Sequence, residues 1–213
     1  MKNRKSGDAG IKYDPAQVRI HEAYTVAIRD LGVHGEGIGS VDGFTVFVPG
    51  ALPGETVTAK ITLLKKSYAL GKLLSIEQES PFRMVPECPV YEHCGGCQLS
   101  HLTYEGQLDM KYRRVKDVIE RIAGESGDLV KPVLPAAHPF AYRNKMAVPA
   151  GLVKRKAALG CYRQGSHDII PVSSCAIQKE ENNRLLQFAR RFIEKYGISV
   201  YDEKTRKGSL RRV

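Results

Sequence analysis

The chain has 213 residues, 42% of them hydrophobic, and a formal net charge of +10 from 33 Lys and Arg against 23 Asp and Glu. That composition excludes a disordered tail, and no apolar run approaches the roughly 18 residues of a helical membrane span. Excess positive charge favours polyanionic partners, because each phosphate met by Lys or Arg releases condensed counterions, although a basic protein with no nucleic-acid role has the same balance.

Residues 1–10 are polar, with no apolar stretch after their lysines, so they do not form a secretory signal; residues 1–17 are expected to be a flexible leader. Five cysteines without a signal point to a reducing compartment, the cytoplasm, where thiols serve metals or catalysis rather than disulfides.

Residues 18–79 read as an all-β domain. Thr25–Leu31 and Thr56–Leu64 alternate apolar and polar residues, as half-buried strands do. Between them lie the glycine-rich stretch from His34 to Gly39, the hairpin signal Asp42-Gly43, the short strand Phe44–Val48 and a Pro/Gly turn region, and Gly71–Ile76 supplies the last strand. Five short strands in so few residues predict a small closed barrel of OB-like type.

Residues 80–213 are expected to form an α+β domain, entered through a proline-rich link from Pro81 to Pro89. Thr103 is placed to cap a helix running to about Ala123, with an apolar stripe of Leu108, Tyr112, Val115, Ile119 and Ile122 and a stop at Gly124. Tyr142–Val148 and Ala157–Val172 read as strands, with Gln164-Gly165-Ser166 as a turn. A second helix is predicted over Glu180–Tyr196, its stripe made by Leu185, Ala189, Phe192 and Tyr196. The last segment has a strand-like Ile198–Tyr201, a polar turn from Arg206 to Ser209, and Leu210-Arg211-Arg212-Val213, which looks like a strand beginning without its partner.

The sharpest signal is Cys88-x5-Cys94-Gly95-Gly96-Cys97. Three thiols so close can converge on one metal site, and two glycines allow a tight turn and close approach of backbone N–H groups to sulfur. A fourth ligand must come from Cys161 or Cys175. Cys175 is favoured, because it lies in a loop between a strand and a helix, whereas Cys161 sits inside an apparent strand, where a thiol usually behaves as a small buried hydrophobe. The residues themselves leave open a 4Fe–4S cluster, a structural zinc ion or a redox dithiol at Cys94 and Cys97. His93 and His101 could replace a thiol on zinc, but flanking exposed histidines explain them as well.

The run from Cys88 to Leu108 (CPVYEHCGGCQLSHLTYEGQL) resembles the iron–sulfur signature of RNA uracil-5 methyltransferases, including those that act on 23S ribosomal RNA. Upstream, Phe47–Glu55 (FVPGALPGE) is similar to the hallmark of the TRAM domain, an RNA-binding barrel that often precedes that signature. Tyr142–Met146 (YRNKM) and Gly165–Ile170 (GSHDII), followed by Cys175, match the family's central domain in type and order. The resemblance implies a 4Fe–4S cluster held by Cys88, Cys94, Cys97 and Cys175. Cys161 stands where relatives typically carry an aromatic residue, outside the ligand pattern.

Members of that family transfer a methyl group from S-adenosylmethionine to carbon 5 of a uracil in RNA. A cysteine thiolate attacks carbon 6 and a general base later removes the carbon-5 proton. Those steps depend on a C-terminal doubly wound α/β domain, and this sequence is expected to end before it. No catalytic or S-adenosylmethionine-binding residue is therefore assigned, and the chain is expected to be inactive alone. The alternative is a stand-alone RNA-binding iron–sulfur or zinc adaptor, or the equivalent part of a transfer RNA enzyme.

The expected partner is structured RNA, with 23S ribosomal RNA favoured over transfer RNA by family analogy. On the barrel, Lys60, Lys65, Lys66, Tyr68 and Lys72 combine phosphate-binding charge with an aromatic, although a solvated loop has the same composition. In the second domain the candidates are Arg143, Asn144, Lys145 and Arg163. Strand alternation would set Arg143 and Lys145 on the face opposite Tyr142, Asn144 and Met146. Lys154-Arg155-Lys156 reads as a general phosphate contact.

Overall fold

A computed structural model describes residues 18–154, 156–203 and 205–213. The expected leader and Arg155 of the basic loop lie outside the described residues. The chain divides into two compact units between Arg83 and Met84.

In the first unit, β1 (Ala23–Leu31), β2 (Gly37–Val41), β3 (Phe44–Val48), β4 (Thr56–Leu64) and β5 (Ala69–Gln78) close a barrel in the order β1-β2-β3-β5-β4. Four of the pairings are antiparallel. Closure comes from a short parallel contact of β3 with β5, where Val46 faces Ala69 and Phe47 faces Leu70. The two-residue periodicity of β3 and β4 sends Val46, Val48, Val57, Ala59 and Ile61 inward, each fully buried. Asp42 and Gly43 both take positive φ, 47° and 82°, as a two-residue hairpin turn demands.

The loop before β4 ends on Glu55, a carboxylate buried at 1% exposure. Its oxygens accept from Leu52 N–H at 2.8 Å, from Ser80 N–H at 3.4 Å and from the Arg83 guanidinium, which also donates to the Gly50 carbonyl at 2.7 Å. One ionic clasp thus ties the Gly50–Glu55 turn to the end of the unit.

The second unit holds α1 (Tyr104–Val118), a three-stranded antiparallel sheet of β6 (Ala150–Val153), β7 (Lys156–Tyr162) and β8 (Ile169–Pro171), and α2 (Glu180–Lys195). Thr103 caps α1, its hydroxyl accepting from Gly106 N–H at 3.2 Å. The helix continues as a π-helical turn, Ile119–Ala123, and stops at Gly124, which is left-handed with φ 70°. Val148, Ala150, Leu159, Leu186, Ile193 and Val200 make the core of this unit. Among the described residues no helix is long and apolar enough to cross a membrane.

Four expectations are corrected. Tyr142–Val148 forms no strand. It runs beside Ala176–Gln178 through Ala141 and Arg143 N–H bonds and one isolated bridge, and Tyr142, Arg143, Asn144 and Lys145 are all exposed, so they do not alternate between two faces. The strand in this region is β6, slightly later. On α2 the buried residues are Asn183, Leu186 and Ile193, while Leu185, Phe192 and Tyr196 are 64%, 44% and 59% exposed. This helix has two apolar stripes, and packing selects the one the aromatics do not occupy. The α1 stripe is likewise open at Val115 and Ile122. Finally, the closing segment has a partner: Val213 and Val148 exchange both backbone hydrogen bonds, at 2.9 and 2.8 Å, and Ala150 N–H donates to the Arg211 carbonyl.

Candidate functional site

The segment between Met84 and Thr103 has no regular structure and is held by its own turns. Val90 accepts from the N–H groups of His93 and Cys94, at 3.1 and 2.8 Å, which doubles the chain back between Cys88 and Cys94. The Tyr91 hydroxyl donates to the Gln98 carbonyl at 2.8 Å and is hydrogen-bonded to His101 Nδ1. His93 is exposed, but His101 is 4% exposed, so it belongs to the interior and is not the solvent-facing flank expected from sequence.

Gly95 N–H donates to the Tyr162 carbonyl at 2.9 Å, and Cys94 forms an isolated antiparallel bridge with Arg163. The thiol loop is therefore stitched to the end of β7. A Cβ on Gly95 would meet Tyr162 O at 2.9 Å and Gln164 N at 3.0 Å, so the approach requires glycine. The next N–H, from Gly96, donates to Cys94 Sγ at 3.4 Å.

Cys175 arrives from the loop between β8 and α2. Its N–H donates to Asn183 Oδ1 at 2.9 Å, and Asn183 Nδ2 donates back to the Cys175 carbonyl at 3.3 Å. One buried helical side chain thus fixes both backbone groups of a distant cysteine, a role that nothing in the sequence pattern signals.

All five cysteines are free thiols of intermediate exposure. Burial pushes the Cys97 thiol up, and Cys175, Cys94 and Cys88 add to the shift against an opposing hydrogen bond from Ser100. Burial also pushes Cys161 up to about 12, and its neighbours Cys94, Cys175 and Cys97 add to the shift. Cys88, Cys94 and Cys175 are thus all within electrostatic reach of Cys97, and Cys161 is within reach of Cys94, Cys97 and Cys175. That placement differs from the small buried hydrophobe expected of a thiol in a strand. Cys161 is in β7, as expected, but its side chain faces the thiols and not an apolar core. Among the described residues, no three His, Cys, Asp or Glu side chains close to the geometry that would hold a metal ion.

Successive strand residues point to opposite faces, so the residue after Cys161 looks the other way. Tyr162 lines an open cleft of about 950 Å³ shared with Arg163, His167, Tyr201 and Arg211. There Tyr162 stacks on His167 with centroids 5.2 Å apart, and the Arg211 guanidinium lies 4.3 Å over the Tyr201 ring. His167 Nδ1 is 2.8 Å from a Glu203 carboxylate oxygen. These aromatic and basic faces suit stacking and phosphate contacts, with Glu203 as a hydrogen-bond acceptor.

Residues 16–74 match the TRAM domain. Over 196 residues the chain is 49% identical to an uncharacterized RNA methyltransferase of Bacillus cereus and 42% identical to one of Clostridium tetani, covering 92% of this chain in both cases. A crystal structure of Pyrococcus abyssi tRNA (uracil-54, C5)-methyltransferase with S-adenosyl-L-homocysteine is similar over 88% of this chain and 41% of that one, at 25% identity and a TM-score of 0.65. The chain thus carries a TRAM domain and, over nine-tenths of its length, is similar to proteins named RNA methyltransferases. It spans 43% of the Bacillus cereus relative and 42% of the Clostridium tetani one.

On the TRAM barrel, Lys60 of β4 and Lys72 of β5 are directly opposed across the sheet, both exposed. Two like charges at that spacing repel unless an anion lies between them. Lys65 and Lys66 are exposed at the β4–β5 turn, closed by Lys65 N–H to the Tyr68 carbonyl at 2.9 Å, and Tyr68 packs edge-on against Phe47. In the second unit Arg163 stands between the thiols and the cleft, whereas Arg143, Asn144 and Lys145 lie on the exposed segment beside Ala176–Gln178. Tyr162, His167, Tyr201 and Arg211 were not singled out as contacts from sequence. Their signal is spatial, since Tyr201 and Arg211 come from a different part of the chain than the Gly165–Ile170 motif.

Proposed function

We propose that the chain is the RNA-binding, 4Fe–4S-holding portion of an S-adenosylmethionine-dependent 23S ribosomal RNA (uracil-5-)-methyltransferase of the cytoplasm. The observation that carries this reading is the gathering of Cys88, Cys94, Cys97 and Cys175 from two distant segments. Four thiols without a histidine or carboxylate are the donor set of such a cluster. Gly96 N–H on Cys94 Sγ is the kind of backbone hydrogen bond that stabilises a ligating thiolate. Four thiolates are equally the donor set of a structural zinc ion, so metal content separates the two.

A bound cluster would cross-link the loop to the Cys175 segment, a structural role, since closing so long a loop restricts the unfolded chain. The chain's own residues bind and orient RNA: lysines of the barrel take phosphates, and Tyr162, Tyr201 and Arg211 offer faces to unstacked bases. Methyl transfer itself is assigned to the part of the relatives that this chain does not span. The 213 residues alone are expected to bind structured RNA and transfer no methyl group.

Anaerobic reconstitution with iron and sulfide tests the reading. About four irons and four sulfides per chain are expected, and zinc without iron would overturn it. For RNA, the double variant Lys60→Ala/Lys72→Ala is expected to weaken binding evenly across sequences and to flatten the salt dependence by roughly two phosphate contacts, measured by filter binding over a salt series. The Pyrococcus abyssi relative favours a second substrate reading, transfer RNA. Competition between ribosomal RNA fragments and transfer RNA in the same assay decides between them.

A further inference from the structure

We propose that Cys161 is a fifth thiol of the site, able to take the place of Cys94 as a ligand. The inference rests on the four-thiol reading above and adds a residue outside its ligand set. Cys161 is not an isolated cysteine: Cys94, Cys175 and Cys97 all lie within electrostatic reach of its sulfur. A Cβ built on Gly96 would lie 3.3 Å from Cys94 Sγ and 3.9 Å from Cys161 Sγ, so both sulfurs crowd the same glycine.

The two cysteines reach this point on backbones that are locked together. Gly95 N–H is bonded to the Tyr162 carbonyl, and Cys94 is bridged to Arg163, one and two residues beyond Cys161. Cys161 is itself fixed in the sheet opposite Ile170 of β8. In the proposed exchange, rotation about the Cys161 Cα–Cβ bond turns its Sγ toward the space beside Gly96 that Cys94 Sγ also borders. Strand alternation prevents Tyr162 from competing for that space, since its ring lies in the cleft on the other face. Ligation by Cys161 releases one proton from its thiol to solvent, as ligation by any cysteine does, and it involves no oxidant or reductant.

The test uses the whole chain, reconstituted anaerobically with ferrous iron and sulfide, with iron content and the electron paramagnetic resonance spectrum of the dithionite-reduced protein as readouts. Wild type, Cys161→Ala and Cys94→Ala are each expected to hold the full iron complement, and Cys94→Ala/Cys161→Ala is expected to lose it. In Cys94→Ala a spectrum with altered g-values, absent from Cys161→Ala, marks the changed ligand. An iron-free Cys94→Ala beside a loaded wild type overturns the replacement and leaves the four-thiol reading standing. An iron-free wild type overturns that reading and this inference together. Iron retained by the double variant, or lost from Cys161→Ala alone, also overturns the replacement. Should Cys94→Ala fail to fold by circular dichroism, Cys94→Ser keeps an acceptor for Gly96 N–H, and the comparison is repeated with Cys94→Ser/Cys161→Ser.

Discussion

Replacing Arg83 with alanine is expected to destabilise the TRAM unit by about 3–5 kcal/mol, the cost of leaving a buried charge without its partner. Glu55 has no exposed side-chain surface and Arg83 has 17%, so solvent does little to screen their attraction. The guanidinium meets both carboxylate oxygens and the Gly50 carbonyl. Its loss strips Glu55 of its countercharge and frees the turn that the pair holds. For a unit of this size that corresponds to a fall in Tm of upward of about 12 °C, read by differential scanning calorimetry of the full chain. A change of only a few degrees would mean that the clasp is not rigid in solution. The Leu52 and Ser80 N–H groups that donate to Glu55 are untouched by the substitution, so what is removed is the countercharge and the bond to the Gly50 carbonyl.

The pH dependence of the same pair separates charge from packing. Burial by itself raises the Glu55 carboxyl, but the Arg83 hydrogen bond and charge and the Leu52 and Ser80 N–H groups outweigh it, leaving a net value below 4.5. A depressed folded-state value contributes stability that is fully present above the unfolded pKa and lost as pH falls through the folded one. Wild-type urea midpoints attributable to this group therefore hold level from neutrality to about 4.5 and fall below it. In Arg83→Ala the sign reverses: burial without the cation raises the carboxyl above its unfolded value, so protonation relieves the variant. Its deficit against wild type is expected to shrink from pH 7 to pH 4.

How legible each feature was follows from how directly its side chains report their surroundings. The barrel strands were readable because β3 and β4 each present one face to the core and one to water, which writes a two-residue period into Phe44–Val48 and Thr56–Leu64. The Asp42-Gly43 turn was readable because few residues accept two positive φ angles in succession. Helix α2 was placed correctly but turned wrongly. Leu185, Phe188, Phe192 and Tyr196 repeat at helical spacing just as Leu186, Ala189 and Ile193 do, and only the position of Leu159 and Val200 selects between the stripes. Tyr142–Val148 failed as a strand because its partner is a loop; its exposed residues meet no second sheet face.

At the thiols, spacing drew attention to Cys88, Cys94 and Cys97, and a loop position to Cys175. It gave no way to see which side of β7 the Cys161 sulfur takes, because that depends on where the Cys94 loop docks. Glu55 was visible only as the last letter of a motif; its burial against a residue 28 positions away is a property of the closed barrel. Local pattern therefore reports local environment, and pairings between distant segments have to be found in three dimensions.

The close approach of β7 and β8 sets the second large effect, expected from Gly160→Ala. Gly160 faces Pro171 across the sheet, and a Cβ there would lie 1.9 Å from the Ile170 carbonyl oxygen and 2.7 Å from its carbon. The obstacle is backbone, so no rotamer relieves it, and the strands must part or slip. A loss of about 3 kcal/mol, the upper end of ordinary overpacking, is expected in urea unfolding. The next residues in register, Cys161 with Ile170 and Tyr162 with Ile169, move with the displaced strand. Iron uptake at the thiols and RNA contact in the cleft are therefore expected to fall together. Gly165→Ala is the matched comparison: Gly165 has φ 73° but nothing within 4 Å of a built Cβ, so its cost is confined to the left-handed backbone, about 1–2 kcal/mol. It lies in the turn beyond β7 and leaves the strand pair untouched. Equal stability and equal iron content in the two variants would refute the close approach, whereas a larger stability loss in Gly160→Ala, with an iron deficit in that variant alone, ties the placement of Cys161 to one hydrogen-sized gap between two strands.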